Sequence, residues 1–306
     1  MNAGPRRPLA EPRAPPRRVL LLVNLNSRRG AVAGPEVARL LRAQGLEVRL
    51  EPTASREAVT MLIEAARGQV DAVVVGGGDG SLNAALPGLL STGLPLGVLP
   101  LGTANDFART LAIPADPGAA ARVIAAGAVR RADVGVVNGL PFLNVASLGL
   151  SGDLARRLTG AGKRRWGRLS YLTAALQVLA GARPFRAVLV AQGAAVRVKT
   201  YQIAVGNGRY YGGGLPVRHD ARVDDGRLDL YSLEFKAAWR LLPAALALRR
   251  GRQGAWREVR DISCIRFQVR TRRARPVNLD GELLTSTPAR FEILPGALAV
   301  FAPAPV

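Results

Sequence analysis

The chain has 306 residues, 48% hydrophobic and 21% charged, with a formal net charge of +21. That suffices for two domains with a sizeable core and excludes a disordered composition. One cysteine, Cys264, excludes an intrachain disulfide, and one histidine, His219, excludes a histidine-based zinc cluster.

Residues 1–16 are rich in proline and arginine, with little to bury, and are expected to form a disordered leader. Arg17-Arg18 followed by Val19–Val23 has the beginning of a twin-arginine signal. The apolar run stops at Asn24, however, short of the ~7–15 residues such a signal needs. It reads better as a first strand buried on both faces. Helices are expected over roughly Pro35–Gln44, ended by Gly45, and Arg56–Arg67, ended by Gly68, with a strand at Glu47–Glu51 between them. A buried strand at Asp71–Val75 runs into a glycine cluster and a helix from Ser81, and a short strand follows at Pro95–Leu99. Strands alternating with helices predict a doubly wound α/β domain over residues 17–135.

The pattern changes after about Asp133. Segments Phe142–Ala146, Arg186–Val190, Val196–Gly206, Arg227–Leu233, Ile262–Val269, Pro276–Leu279 and Arg290–Ile293 read as strands separated by turns. Clear helices are expected only at Leu169–Leu179 and Ala237–Leu248. This predicts a second domain over residues 136–294, an antiparallel β-sandwich-like unit, with the tail 295–306 packing back on the first. Cys264 then reads as a buried strand thiol. No apolar run approaches the ~18–20 residues that span a bilayer, so any lipid is expected to be met from the surface.

The strongest local signal is Val73–Asn83, in which Gly76-Gly77-Gly78-Asp79-Gly80-Ser81 lies between a strand end and a helix start. Glycines there let backbone N–H groups approach an anion, and the helix N-terminus adds a favourable field. No Lys-Ser/Thr follows, so this is not a Walker A loop, and Ser81 stands where GxGxxG needs its third glycine. A carboxylate inside a phosphate loop repels a nucleotide unless a divalent cation lies between them. Asp79 therefore points to a Mg²⁺–nucleotide site. One strand later, Pro100–Arg109 (PLGTANDFAR) repeats the arrangement, although Asn105 or Asp106 would also serve as a helix N-cap.

At these residues the chain resembles the diacylglycerol kinase catalytic-domain family, the lipid kinases that include sphingosine and ceramide kinases. GGGDGS (Gly76–Ser81) is similar to its GGDGT loop, and PLGTANDFAR to its P-x-G-T-x-N-D-F-A element. NLNSRRG (Asn24–Gly30) is similar to its nucleotide turn. GNGRYYGGG (Gly206–Gly214), DARVDDGRLDL (Asp220–Leu230) and LDGE (Leu279–Glu282) match signatures of its second domain. GGDGT alone is shared with NAD kinases and phosphofructokinases; the six elements in this order are far more specific.

The resemblance implies an ATP- and Mg²⁺-dependent phosphotransferase acting on a hydroxyl of a membrane lipid such as diacylglycerol, with its active site in an interdomain cleft. It implies that Asn24, Asn26, Ser27, Arg28, Arg29 and Thr53 line the nucleotide. Gly77, Gly78, Asp79, Gly80, Ser81, Leu82, Asn83, Gly102, Thr103 and Asn105 would surround the phosphates. Asp79 and Asp106 would organise the catalytic Mg²⁺. A structural Mg²⁺ would sit on the Asp225 side chain and the carbonyls of Arg222 and Arg227, and Glu282 would be the general base. Three positions depart from the pattern: Leu25 replaces a proline, Arg28 stands where glycine is frequent, and Ala84 stands where glutamate is common.

The large positive charge favours polyanions, yet arginine is scattered along the whole chain, so charge alone selects no partner. Gly160–Tyr171 clusters Lys163, Arg164 and Arg165 with Trp166, which suits an anionic membrane surface, and Arg270, Arg272, Arg273 and Arg275 form a second basic run. A peripheral location on the cytoplasmic side of the inner membrane is expected, and a homodimer is compatible with the sequence. No recognised nucleic-acid module appears. A kinase of soluble substrates of the NAD kinase type, and a non-catalytic lipid- or nucleotide-binding protein, stay open as alternatives.

Overall fold

The computed structural model describes residues 11–12, 14–23, 28–53, 55–150, 152, 181–208, 210–211, 215–216, 221–241, 256 and 258–303. The chain divides into two compact units, Met1–Val134 with Pro295–Val306, and Gly135–Leu294.

In chain order the first unit contains β1 (Glu11–Pro12), β2 (Arg18–Val23), α1 (Arg28–Ala43), β3 (Glu47–Pro52), α2 (Arg56–Ala65), β4 (Ala72–Gly77), α3 (Asp79–Thr92), β5 (Leu96–Pro100), α4 (Asp106–Thr110), α5 (Pro117–Ala125) and most of β6 (Ala128–Val137). The sheet order β3-β2-β4-β5 is parallel throughout, and the C-terminal segment joins it in parallel with Val300 opposite Leu96. Leu20, Leu21, Val73, Val74 and Leu96 are fully buried. Strands covered on both faces by helices require such continuous apolar runs. Buried stripes of three helices cover them, with Leu41 of α1, Leu86 and Leu89 of α3 and Ile124 of α5, while Ile63 of α2 packs against Gly88 of α3. From β2 the chain passes to β3 on one side and to β4 on the other. The order therefore reverses between β2 and β4, and in open sheets of this kind ligands sit beyond the carboxyl ends at such a reversal.

Local chemistry fixes the helix ends. Ser55 caps α2 by accepting the Ala58 N–H at 3.2 Å, Asp116 caps α5 through the Ala119 N–H at 2.8 Å, and Gly93, at φ 70°, closes α3. Asp71, just before β4, accepts the N–H groups of Arg18 and Arg17 at 2.8 and 2.9 Å, and these hydrogen bonds hold its carboxyl below the usual range.

Two expectations for this unit change. The leader expected over 1–16 contributes β1, whose Glu11 and Pro12 pair with Val129 and Ala128 of β6. A sheet edge offers backbone partners even to a segment with nothing to bury. The first helix begins at Arg28, upstream of the Pro35 expected to open it. Pro35 forfeits one hydrogen bond inside α1, while Val37, Ala38 and Leu41 keep the helix packed.

The second unit holds β7 (Leu140–Phe142), β8 (Val145–Gly149), β9 (Phe185–Ala191), β10 (Ala194–Thr200), β11 (Gln202–Gly206), β12 (Tyr210–Tyr211), β13 (Leu215–Pro216), β14 (Leu228–Leu233), β15 (Val259–Cys264), β16 (Arg266–Thr271), β17 (Pro276–Leu279), β18 (Glu282–Ser286) and the first part of β19 (Ala289–Phe301). One antiparallel layer runs β10-β9-β16-β19 and the other β15-β14-β11-β8-β17-β18. Alternate residues of both, including Phe142, Leu148, Phe185, Leu189, Ile203, Leu230, Val269, Val277 and Phe291, meet in one core. Cys264 belongs to this core, and burial raises its thiol pKa.

Three strands read as continuous are broken. Phe142–Ala146 bends at Leu143-Asn144, Val196–Gly206 at Tyr201, and Ile262–Val269 at Ile265. The last two breaks occur where the chain changes layers: β10 and β16 belong to one, β11 and β15 to the other. The helix expected at Leu169–Leu179 and the basic segment Gly160–Tyr171 lie outside the described residues. Of Ala237–Leu248 the described part holds one 3₁₀ turn, Ala238–Arg240.

Candidate active site

Two loops stand at the carboxyl ends of adjacent strands. β4 ends at Gly77, and Gly78 leads into α3; after β5, Leu101–Asn105 leads into α4. The sheet ladder runs on between them, with the Leu101 N–H donating to Gly77 O at 3.0 Å. The loops then touch backbone to backbone. A Cβ built on Gly102 would lie 2.5 Å from Gly78 Cα, and one on Gly78 would lie 3.1 Å from Gly102 Cα. The crossing therefore requires a glycine at 102, and at Gly78 a side chain would be tight.

Side chains lock the approach. Asn105 adopts left-handed backbone (φ 51°, ψ 44°) and folds over its own loop, accepting the Gly102 N–H and donating to Gly102 O, both at 3.0 Å. It stands at the cap position of α4 without capping it. The cap comes from the other loop: the Asp79 carboxylate accepts the Asp106 N–H at 3.1 Å and the Phe107 N–H at 3.0 Å. A carboxylate at a helix N-terminus is favoured by both the unpaired amides and the helix field. Asp79 thus lies where the two loops join, and Asp106 follows directly, 3% exposed.

At the start of α3, the Ser81 and Leu82 N–H groups both donate to Gly78 O, at 3.0 and 3.1 Å. The Gly80 amide precedes that ladder, and nothing lies within 4 Å of where a Gly80 Cβ would be. Leu82 and Asn83 are each 1% exposed, and Asn83 accepts from Arg56 at 2.8 Å through its side-chain oxygen. These two side chains belong to the interior of the unit. Thr103 is exposed on the second loop. Thr53 follows β3 and donates its N–H to Val23 O at 3.1 Å, at the same carboxyl edge. Arg28 and Arg29 open α1; Asn24, Asn26 and Ser27 lie outside the described residues.

In the second unit, Asp280-Gly281 forms the two-residue turn between β17 and β18, with φ of 47° and 105°. Positive φ at both positions is what an Asp-Gly hairpin turn supplies. Glu282, exposed, is the first residue of β18. Asp225 lies in the turn before β14, where its carboxylate accepts the Arg227 N–H at 3.0 Å. The neighbouring Asp224 holds the Arg222 guanidinium at 2.9 Å and keeps it more basic. Among the described residues no three His, Cys, Asp or Glu side chains cluster as metal ligands.

Sequence reasoning passed over three polar groups that meet at the β7–β8 bend: Asn144, Asn207 and Asp280, with both asparagines 3% exposed. Asn207 and Asp280 lie inside quoted motifs, whereas Asn144 carried no local signal.

The comparisons agree with this architecture. Residues 18–137 match the model described as "Diacylglycerol kinase catalytic domain", and residues 144–302 match "YegS C-terminal NAD kinase beta sandwich-like domain". A diacylglycerol kinase of Mycobacterium tuberculosis is 33% identical over 301 residues, covering 94% of this chain and 95% of that protein. A "Probable lipid kinase YegS-like" protein of Klebsiella pneumoniae is 31% identical over 267 residues, covering 86% and 89%. A crystal structure from Bacillus anthracis str. Sterne, described as a diacylglycerol kinase, shares the fold with a TM-score of 0.74 at 23% identity, over 95% of this chain and 98% of that one. The chain belongs to the diacylglycerol kinase catalytic-domain family, phosphotransferases with an alcohol group as acceptor.

Proposed function

We propose that this kinase moves the γ-phosphate of ATP onto a hydroxyl of a membrane lipid such as diacylglycerol, with Mg²⁺. The observation that supports it most is the position of Asp79: one carboxylate joins two glycine loops and caps α4, beside the amide-rich start of α3. Phosphoryl transfer asks for positioning and charge neutralisation more than covalent help. In this reading the α3 N-terminus and Thr103 face the phosphates, while Thr53, Arg28 and Arg29 flank the rest of the nucleotide. Glu282 takes the hydroxyl proton as the lipid oxygen–phosphorus bond forms and the bond to ADP breaks. A carboxylate base contributes on the order of 10²–10⁴-fold.

The donor set fits Mg²⁺, which commonly takes one or two carboxylates and leaves the remaining positions to phosphates and water. Asp79 and Asp106 would hold it, and it would neutralise charge on the phosphates. The Asp225 carboxylate with the Arg222 and Arg227 carbonyls would hold a second, structural ion. Among the described residues no helix is long and apolar enough to cross a membrane. In this reading the enzyme works peripherally, at the cytoplasmic face of the inner membrane.

Purified protein given γ-labelled ATP, Mg²⁺ and diacylglycerol-containing vesicles should label the lipid, and Glu282→Gln should lose most of the transfer while still binding ATP. Absence of labelled lipid across neutral lipids and alcohols would favour a non-catalytic binding protein.

A further inference from the structure

Glu282 lies on an edge strand. Among the described residues β18 pairs only with β17, and the register slips between Val277 and Asn278. A strand bonded on one side through a bulged partner is a poor mount for a side chain that must meet a hydroxyl within hydrogen-bond reach.

Both ends of β18 are tied down from far along the chain. At its start, the Asp280 carboxylate accepts three consecutive backbone N–H groups of the β7–β8 bend: Leu143 at 2.7 Å, Asn144 at 3.0 Å and Val145 at 2.9 Å. Asp280 also donates its own N–H to Val145 O at 3.0 Å, and Asn278 accepts the Gly281 N–H at 2.8 Å. Asn207 braces the bend by donating its side-chain amide to Leu143 O and its backbone N–H to Asn144 O, both at 2.9 Å. At the far end, the Asn138 amide reaches Thr285 Oγ1 at 3.1 Å and the carbonyls of Ser286 and Pro288 at 3.2 Å.

An Asp-Gly hairpin turn needs none of this to close. Gln192-Gly193, with φ of 50° and 80°, closes β9–β10 in the same unit with no carboxylate anchor among the described residues. Charge-assisted bonds to successive amides are the stronger and more directional kind. They fix both the height and the twist of the turn two residues before Glu282.

We propose that Asp280 is a positioning residue for Glu282, with Asn138 steadying the other end of the strand. The proposal rests on Glu282 acting as the base. The test is a double-mutant cycle on the full chain with Asp280→Asn, Glu282→Gln and both together, each checked for folding by circular dichroism. Asp280→Asn alone should lower kcat about 10–100-fold, the scale of a 1 Å misplacement, with KM for ATP little changed. Added to Glu282→Gln, it should cost nothing further, because a residue acting through another is silent once that other is gone. An unchanged kcat in the single variant, or an equal loss on both backgrounds, would overturn the positioning role. Wild-type kcat in Glu282→Gln alone would remove the base, and the proposal with it. If Asp280→Asn fails to fold, Asn138→Ala carries the same cycle, with the same two results for and against.

Discussion

An alanine at Gly102 would put its Cβ 2.5 Å from Gly78 Cα and 2.6 Å from Asn105 Oδ1. Non-bonded carbons rest at about 3.5–4.0 Å, so the loops would have to part by about 1 Å. Gly78 meets the new methyl with backbone and cannot swing away like the end of a side chain. The Asn105–Gly102 bonds and the Asp79 cap on α4 pull the other way. Overpacking of this kind costs about 1–3 kcal/mol, and a misplacement of that size at a reacting group costs about 10²-fold in rate. Gly102→Ala should therefore melt earlier and transfer phosphate on the order of 100-fold more slowly. Gly80→Ala is the matched control, since its methyl meets nothing within 4 Å. Alanine inside a helix is favoured over glycine by roughly 0.5–1 kcal/mol. Gly80→Ala should melt no earlier than wild type yet bind ATP more weakly, because the methyl occupies the space assigned to a phosphate. Thermal melting, ATP titration and the rate of phosphate transfer read both variants. Wild-type melting and a wild-type transfer rate in Gly102→Ala would refute the crossing of the loops.

Asp79→Ala removes the acceptor of two amides at the start of α4 and should destabilise the nucleotide-free protein by about 2 kcal/mol, the scale of a lost helix cap. Chemical denaturation without Mg²⁺ separates this from any metal role, and an unchanged midpoint would contradict the Asp79 cap on α4. Asp79→Asn should in addition raise the Mg²⁺ concentration needed for half-maximal transfer. Asp71 is held below its ordinary pKa by the Arg18 and Arg17 amides. Its stabilisation is therefore present above the ordinary carboxylate pKa and disappears as pH falls through the lowered one. Asp71→Asn should shallow the acid limb of the stability–pH curve; since the carboxyl is partly exposed, the effect is modest, and an identical limb would refute it.

Much of this was legible in the residues because the features are local. Continuous runs such as Val19–Val23 and Val73–Val75 have to be strands buried on both faces. Gly76–Ser81 announces a turn into a helix, and Asp280-Gly281 announces a two-residue hairpin. What escaped depends on partners distant in sequence. The cap of α4 comes from Asp79, 27 residues before the amide it meets, so Asn105 and Asp106 looked like self-sufficient caps. The bend at Leu143-Asn144 is set by a carboxylate 137 residues away from Leu143, and the run Phe142–Ala146 alone gives no reason to break. Leu82 and Asn83 share the glycine loop's motif, but helical periodicity turns them inward.

The most direct measurement follows ADP and phosphorylated lipid together in one reaction of the purified protein with ATP, Mg²⁺ and diacylglycerol vesicles. A lipid kinase forms one phospholipid for each ADP, and both stop when the lipid is omitted. ADP appearing at the same rate without lipid, or no ADP with any hydroxylated acceptor, would contradict phosphate transfer to a lipid hydroxyl.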